Sequence, residues 1–216
     1  MDSQLPLKDQ HALITGASRG IGLAIARRLG QMGARISICG RDEQSLDAAR
    51  SQLQKEGIET FSFAANVADS RQVSALVEAA SAKFGHIEIL VNNAGIGRFG
   101  PVNQLNETDW DTVLDTNLKG VFLVSRAVME GMISRGRGHI VNISSPARTP
   151  SPVAASTALR NGACSASPIP WPKTCALTAS ASPPSAPALS RRNSRPTPAK
   201  THAKCFRPKT SPTPSP

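Results

Sequence analysis

Thr15-Gly16-Ala17-Ser18-Arg19-Gly20-Ile21-Gly22 sets three glycines at the spacing Gly-x3-Gly-x-Gly, where a short apolar run gives way to a helical pattern. Such a turn lets backbone approach a pyrophosphate closely, and the helix that follows offers the same anion unpaired N–H groups and a favourable dipole. The chemistry suggested is the holding of a dinucleotide; an ordinary tight turn is the plainer alternative. Charge indicates which dinucleotide. An acidic residue ~20 positions after the glycine turn selects a free ribose 2′-hydroxyl, whereas a 2′-phosphate needs Arg. The second strand here ends in Gly40-Arg41, and Arg19 sits in the turn itself, so two guanidinium groups could fork the phosphate oxygens. NADP is therefore expected over NAD. The competing reading makes Arg41 a solvated loop charge and puts Asp42 on the ribose.

The elements that must position these residues follow from apolar periodicity. Residues 11–15 form an apolar run ending at Gly16, and residues 21–32 repeat at helical spacing, giving strand, glycine turn and helix. Further strands are expected at 34–39, 60–65, 87–91 and 139–143, and further helices at 42–56, 70–84, 108–115 and 118–134. Leu46, Ala49 and Leu53 share one face of the second helix, and Val73, Leu76, Val77 and Ala80 one face of the third. Strict alternation of strand and helix implies a parallel sheet covered on both faces. The near-continuous apolar runs at 87–91 and 139–143 fit burial on both sides.

TGASRGIG at 15–22, NNAG at Asn92–Gly95 and NLKG at Asn117–Gly120, in that order, resemble the short-chain dehydrogenase/reductase family, and within it the 3-oxoacyl-carrier-protein reductase-like members. The resemblance covers residues 7–145. It implies an α/β fold with a Rossmann-type doubly wound parallel sheet, NAD(P)-dependent oxidoreductase activity on a small carbonyl or alcohol, and homo-oligomers among intact relatives. By the same resemblance Gly16, Ser18, Arg19, Gly20, Ile21 and Gly22 form the cofactor loop, with Ser18 and Arg19 near the adenosine ribose and phosphates. Asn66-Val67 matches a pair that is usually Asp-Val and meets the adenine; an amide oxygen can still accept that hydrogen bond. Asn92, Asn93, Ala94 and Gly95 match the motif that steadies the central sheet and borders the ribose, with a strand-end turn as the alternative. Asn117 matches the family Asn that holds a proton-relay water, and it could also cap the helix at Leu118. Ser145 or its neighbour Ser144 matches the Ser that hydrogen-bonds the substrate oxygen.

The family completes this set with a Tyr and, four residues on, a Lys. The chain contains no tyrosine, and where the pair should fall it reads STALR at Ser156–Arg160. In the family the Tyr protonates the developing alkoxide while the Lys lowers its pKa, and losing a positioned acid costs ~10²–10⁴ in rate. An aliphatic hydroxyl is too weak an acid to stand in.

Composition breaks at the same place. All 15 acidic residues lie before Pro146, with 15 of the 25 Lys and Arg, so the net charge of +10 belongs to residues 146–216, which also carry 15 of the 17 prolines. Such a segment cannot bury enough apolar surface to offset its ordering entropy. Residues 1–145 are thus expected to form an incomplete dinucleotide-binding domain, and residues 146–216 a disordered basic tail. The genetic code suggests an origin for it. Written TCT ACT, Ser156-Thr157 contains TAC in a shifted frame; written CGA AAT, Arg160-Asn161 contains AAA in the same frame. These are Tyr and Lys codons four apart, and extending the choice over 147–182 permits a family-like stretch with YxxxK. The tail is read as a frameshift product, and the chain as a catalytically dead descendant of an active enzyme.

Two rival readings are a non-catalytic dinucleotide-binding module and a basic arm binding nucleic acid or an anionic surface by counterion release. The ten tail cations are dispersed among prolines with almost no aromatic partners, so no specific nucleic acid is expected. Cys39, Cys164, Cys175 and Cys205 show no metal-ligand or redox spacing, which fits no metal and a reducing, cytoplasmic setting. No apolar stretch reaches the ~18 residues of a membrane span, and no basic-then-apolar export signal opens the chain.

Overall fold

His11–Thr15 is buried at every position and forms β1, the strand on which the sheet is built. The computed structural model describes residues 5–98, 102–144 and 177–180. The other strands are β2 (Arg35–Gly40), β3 (Thr60–Ala64), β4 (Ile89–Asn92), β5 (His139–Ser144) and β6 (Leu177–Ser180). The helices are α1 (Gly20–Gln31), α2 (Glu43–Lys55), α3 (Ser70–Phe84), α4 (Glu107–Leu114) and α5 (Gly120–Ser134).

All pairings are parallel, in the order β3-β2-β1-β4-β5-β6, and Ile14 lies in register with Ile38 on one side and Val91 on the other. Successive β1 side chains point to opposite faces, as strand geometry requires. Leu13 joins Leu76, Leu90 and Val124 beneath α3 and α5, while Ile14 joins Ile36, Ile38, Leu46 and Leu53 beneath α1 and α2. The fold is a Rossmann-type doubly wound α/β sheet. Each fully buried Leu or Ile here contributes ~1.5–3 kcal/mol relative to exposure, so the two clusters hold the strand ends in place.

Helix starts are set by local polar chemistry. Asp42 caps α2 by accepting from the Ser45 N–H at 2.9 Å. Asp69 caps α3 through the Arg71 and Gln72 N–H groups, and Asn106 caps α4 through that of Asp109. At α1 the cap position is Arg19, and no side chain satisfies the first N–H groups.

Three features depart from the sequence expectations. The two helices expected at 108–115 and 118–134 are joined by a π turn, Asp115–Lys119, in which the Gly120 N–H reaches back five residues to the Asp115 carbonyl. The strand β5 is only partly buried: Ile140 faces the α3 and α5 layer, Val141 and Ile143 pack at the margin of the α1 and α2 layer, and His139 is exposed. It lies beyond β4, where α1 and α2 no longer cover the sheet. Finally, Leu177–Ser180 is a sixth strand, within a stretch expected to lack regular structure, and pairs with Val141–Ser144. The segment 174–182 carries no proline, so its backbone can supply the N–H groups a ladder needs, and the open edge of β5 templates the pairing. The rest of the expected tail lies outside the described residues.

Candidate functional site

Between β1 and β4 the sheet order reverses, since β1 leads outward to β2 and β4 to β5. Connections leave in opposite directions at such a point and open a crevice beyond the strand ends. A cleft of about 280 Å³ lies there, lined by Gly16, Ser18, Arg19, Cys39, Gly40, Arg41, Ala65, Asn66, Val67, Asn93, Ala94, Gly95, Ile96 and Thr116. Nine of these are residues singled out above from the sequence. Gly20, Ile21 and Gly22 occupy the first turn of α1 beside it, with Ile21 55% exposed. Cys39, Gly40, Ala65, Ile96 and Thr116 also line the cleft; each lies within two positions of a recognised residue in sequence.

The glycine turn is held from across the crevice. Gly16 has φ +64°, and a Cβ there would stand 2.7 Å from the Cα of Ala94, so no other residue fits without moving the β4 loop. Thr15 Oγ1 accepts from the Asn93 and Ala94 N–H groups at 3.1 and 3.0 Å. The Asn93 amide donates in return to the Thr15 and Gly16 carbonyls at 3.0 and 2.9 Å. On the other side the Ala17 N–H donates to the Cys39 carbonyl at 3.1 Å. The turn is thereby fixed to both neighbouring strands, with the uncapped N-terminus of α1 open to an anion.

Charge at the cleft mouth is arranged for a phosphate. Arg19 and Arg41 are exposed and line the same opening. Asp42 does not line it. Its carboxylate accepts from both the hydroxyl and the N–H of Ser45, which hold its pKa below the usual carboxylate value, with the Arg19 charge adding to the effect. The reading that put Asp42 on a ribose is thus not favoured, since the residue stands outside the cleft lining and caps α2. Cys39 lies wholly buried in the cleft floor, where desolvation pushes its thiol up to about 12.

The two motifs beyond the glycine turn divide their work. Asn92 donates to Ser125 Oγ at 3.0 Å and to Asn142 Oδ1 at 2.8 Å, tying β4 to α5 and β5. Asn66 is in an Asx turn, its amide oxygen accepting from the Ala68 N–H at 3.1 Å and its own N–H donating to Gln72 Oε1 at 2.8 Å. Asn117 is not a helix cap. It sits inside the π turn, 2% exposed, its amide oxygen accepting from the Ile96 N–H and its amide N–H donating to the Ile96 carbonyl, both at 2.8 Å. A cap would need Asn117 at a helix start, and the chain here is already helical on both sides. Ser144 is the half-buried last residue of β5, in register with Ser180; Ser145 lies outside the described residues. No metal-holding cluster of His, Cys, Asp or Glu occurs among the described residues, and none of their helices is long and apolar enough to cross a membrane.

The arrangement has clear counterparts. A family model described as short chain dehydrogenase matches residues 10–157. Gluconate 5-dehydrogenase of Gluconobacter oxydans is 45% identical over 139 residues, covering 64% of this chain and 54% of that protein. A 3-oxoacyl-[acyl-carrier-protein] reductase of Staphylococcus aureus is 40% identical over 136 residues, covering 62% and 55%. The chain thus spans about half the length of these relatives. A solved actinorhodin polyketide ketoreductase with NADPH superposes with a TM-score of 0.70 at 38% identity, covering 72% of this chain and 60% of that one. A reversing parallel sheet, a glycine turn braced by NNAG, an Asn in a widened helical turn and these matches lead to one assignment: the chain belongs to the short chain dehydrogenase family.

Proposed function

We propose that the chain carries the NADP(H)-binding half of an oxidoreductase that moves hydride between the nicotinamide and a small carbonyl or alcohol, and that the chain as written does not catalyse the reaction. The observation that carries the cofactor reading is the pairing of Arg19 and Arg41 at one cleft mouth that Asp42, the cap of α2, does not line. A 2′-phosphate there would meet two guanidinium donors, whereas Asp42, the carboxylate a 2′-hydroxyl would need, does not line the cleft. The residues fit the rest of the group as well. The α1 N–H groups face the pyrophosphate position, Gly16 lets it approach, and Asn66 with Val67 borders the adenine end. The NADPH bound by the actinorhodin ketoreductase supports the same choice.

When bound, the cofactor supplies the hydride. This chain's residues would bind and orient it, but the acid that must protonate the substrate oxygen is missing, since the sequence has no tyrosine. Asn117 and Ser144 or Ser145 are what remains of the proton-handling set.

Equilibrium titration with NADPH and NADH tests the reading. NADPH should bind at least about tenfold more tightly, a difference of ~1.4 kcal/mol, and Arg41→Ala should shrink that ratio. Equal affinities, or a ratio untouched in Arg41→Ala, would overturn the choice of cofactor. NADPH oxidation on a panel of ketones should be absent. A second reading, a non-catalytic dinucleotide-binding module, is favoured by the missing Tyr.

A further inference from the structure

We propose that Gly120 is a positioning residue for the nucleotide cleft, acting through Val67, and that the π turn before it sets the distance between the two cleft walls. This rests on the cofactor reading above and extends it to a residue that does not line the cleft.

One wall is the loop after β4, where Ile96 lines the opening; the other is the turn from β3 to α3, where Asn66 and Val67 do. The turn Asp115–Lys119 with its successor Gly120 touches both. Asn117 grips the Ile96 backbone through two hydrogen bonds of 2.8 Å. Gly120, three residues on, is buried against Val67: a Cβ at Gly120 would stand 2.8 Å from Val67 Cγ2, 3.3 Å from its Cβ and 3.4 Å from its carbonyl oxygen.

Val67 cannot yield by rotation alone. A β-branched side chain has few rotamers, and its Cβ, which no rotation moves, would stand 3.3 Å from the added methyl. An added methyl at Gly120 must therefore push the whole Asn66-Val67 turn, and with it one cleft wall. The extra residue of the π turn is what allows both grips. It lets Asn117 face Ile96 while Gly120 faces Val67 within one continuous helical path, and such widened turns recur at functional sites for this kind of re-aiming.

The test uses the full chain, with NADPH and 2′,5′-ADP as probes and hydrogen exchange as a readout needing no ligand. Gly120→Ala should weaken both probes about tenfold and speed amide exchange across residues 66–69, leaving β1 amides unchanged. Combining it with Val67→Ala removes the crowding methyls. The double variant should return to within about threefold of Val67→Ala alone and recover the exchange protection.

Normal binding by Gly120→Ala, or a double variant no better than the single, would overturn the proposal. If Gly120→Ala does not fold, a double variant that folds and binds supports it, and a double variant that also fails to fold overturns it. If the unaltered protein binds neither probe, the cofactor reading falls, and the exchange comparison still decides the role of Gly120: unchanged exchange at residues 66–69 sinks it.

Discussion

The side-chain amide of Asn93 bridges two successive backbone carbonyls, those of Thr15 and Gly16, at 3.0 and 2.9 Å, so the loop after β4 carries the glycine turn that follows β1. Both bonds are part-buried, and losing the two together costs ~1–3 kcal/mol. Asn93→Ala should lower stability by about that amount in urea unfolding and weaken NADPH. Asn93→Asp, which turns a carboxylate oxygen toward the carbonyls, should be worse than Ala. An Asp variant milder than Ala would show that the bridge is not what holds the turn.

The cap on α2 makes a separate prediction. Ser45→Ala removes one of the two groups held by Asp42 and leaves the N–H bond, whereas Asp42→Ala removes both. The helix start should weaken in that order, read as a falling Tm. The folded pKa of Asp42 lies below 3.8, so its contribution is full above the unfolded value and disappears as pH falls through the folded one. The difference in Tm between the parent and Asp42→Ala should therefore be present at neutral pH and close below about pH 3.8. A gap that persists unchanged into stronger acid would rule out the carboxylate as its source.

A third prediction lies at the opposite end of the sheet. His11 is fully buried in β1, with Nε2 2.8 Å from Ser37 Oγ and Nδ1 3.1 Å from the Gly85 carbonyl, and its ring stands edge-on to Phe84. Burial lowers its pKa below 6.5, outweighing the Gly85 carbonyl and Glu88, which push it upward, while Arg35 lowers it further. The fold keeps the ring neutral, whereas the unfolded chain takes up a proton near 6.5. Stability should therefore fall as pH drops below that value, until the folded ring also titrates. Urea midpoints for the parent should decline as pH falls below about 6.5. His11→Gln, less stable at neutral pH, should flatten that decline, and an equally steep slope in the variant would move the cause elsewhere.

The gene supplies a fourth. If residues after Pro146 arise from a shifted frame, the third bases of the Ser156 and Arg160 codons must be T and A, restoring Tyr and Lys codons four apart. Sequencing that region tests it directly, and any other base at either position ends the proposal. The restored chain should oxidise NADPH with a ketone, and Tyr→Phe at the recovered position should abolish that while leaving cofactor binding largely intact.

The first five strands were legible because apolar runs and glycine turns alternate at lengths that admit one architecture. Of the cleft residues, Gly16, Ser18, Arg19, Asn93, Ala94 and Gly95 lie in two of the motifs that carry the family resemblance, Arg41 followed from its charge after the second strand, and Asn66 and Val67 from the resemblance itself. What was hidden depended on partners distant in sequence. Asn117 looks like a cap because Leu118 follows it, yet its amide is claimed by Ile96, 21 positions earlier. The extra residue of the π turn leaves no mark in apolar periodicity, since the helices on either side keep their own faces. Asp42 reads equally as a ribose contact or a helix start, and its bonds to Ser45 show the helix cap. Leu177–Ser180 has no alternating pattern to announce a strand; the partner edge of β5, not its own composition, organises it.

Cys39 turns the cleft floor into a clock. A thiol held at about 12 and sealed from solvent has almost no thiolate at neutral pH, and the thiolate is the form that reacts. An alkylating reagent can reach it only while β2 is parted from its neighbours, so mass mapping of that one sulfur over time counts openings of the sheet. A nucleotide seated above it should slow the count in proportion to its occupancy, giving a measure of binding that needs no turnover.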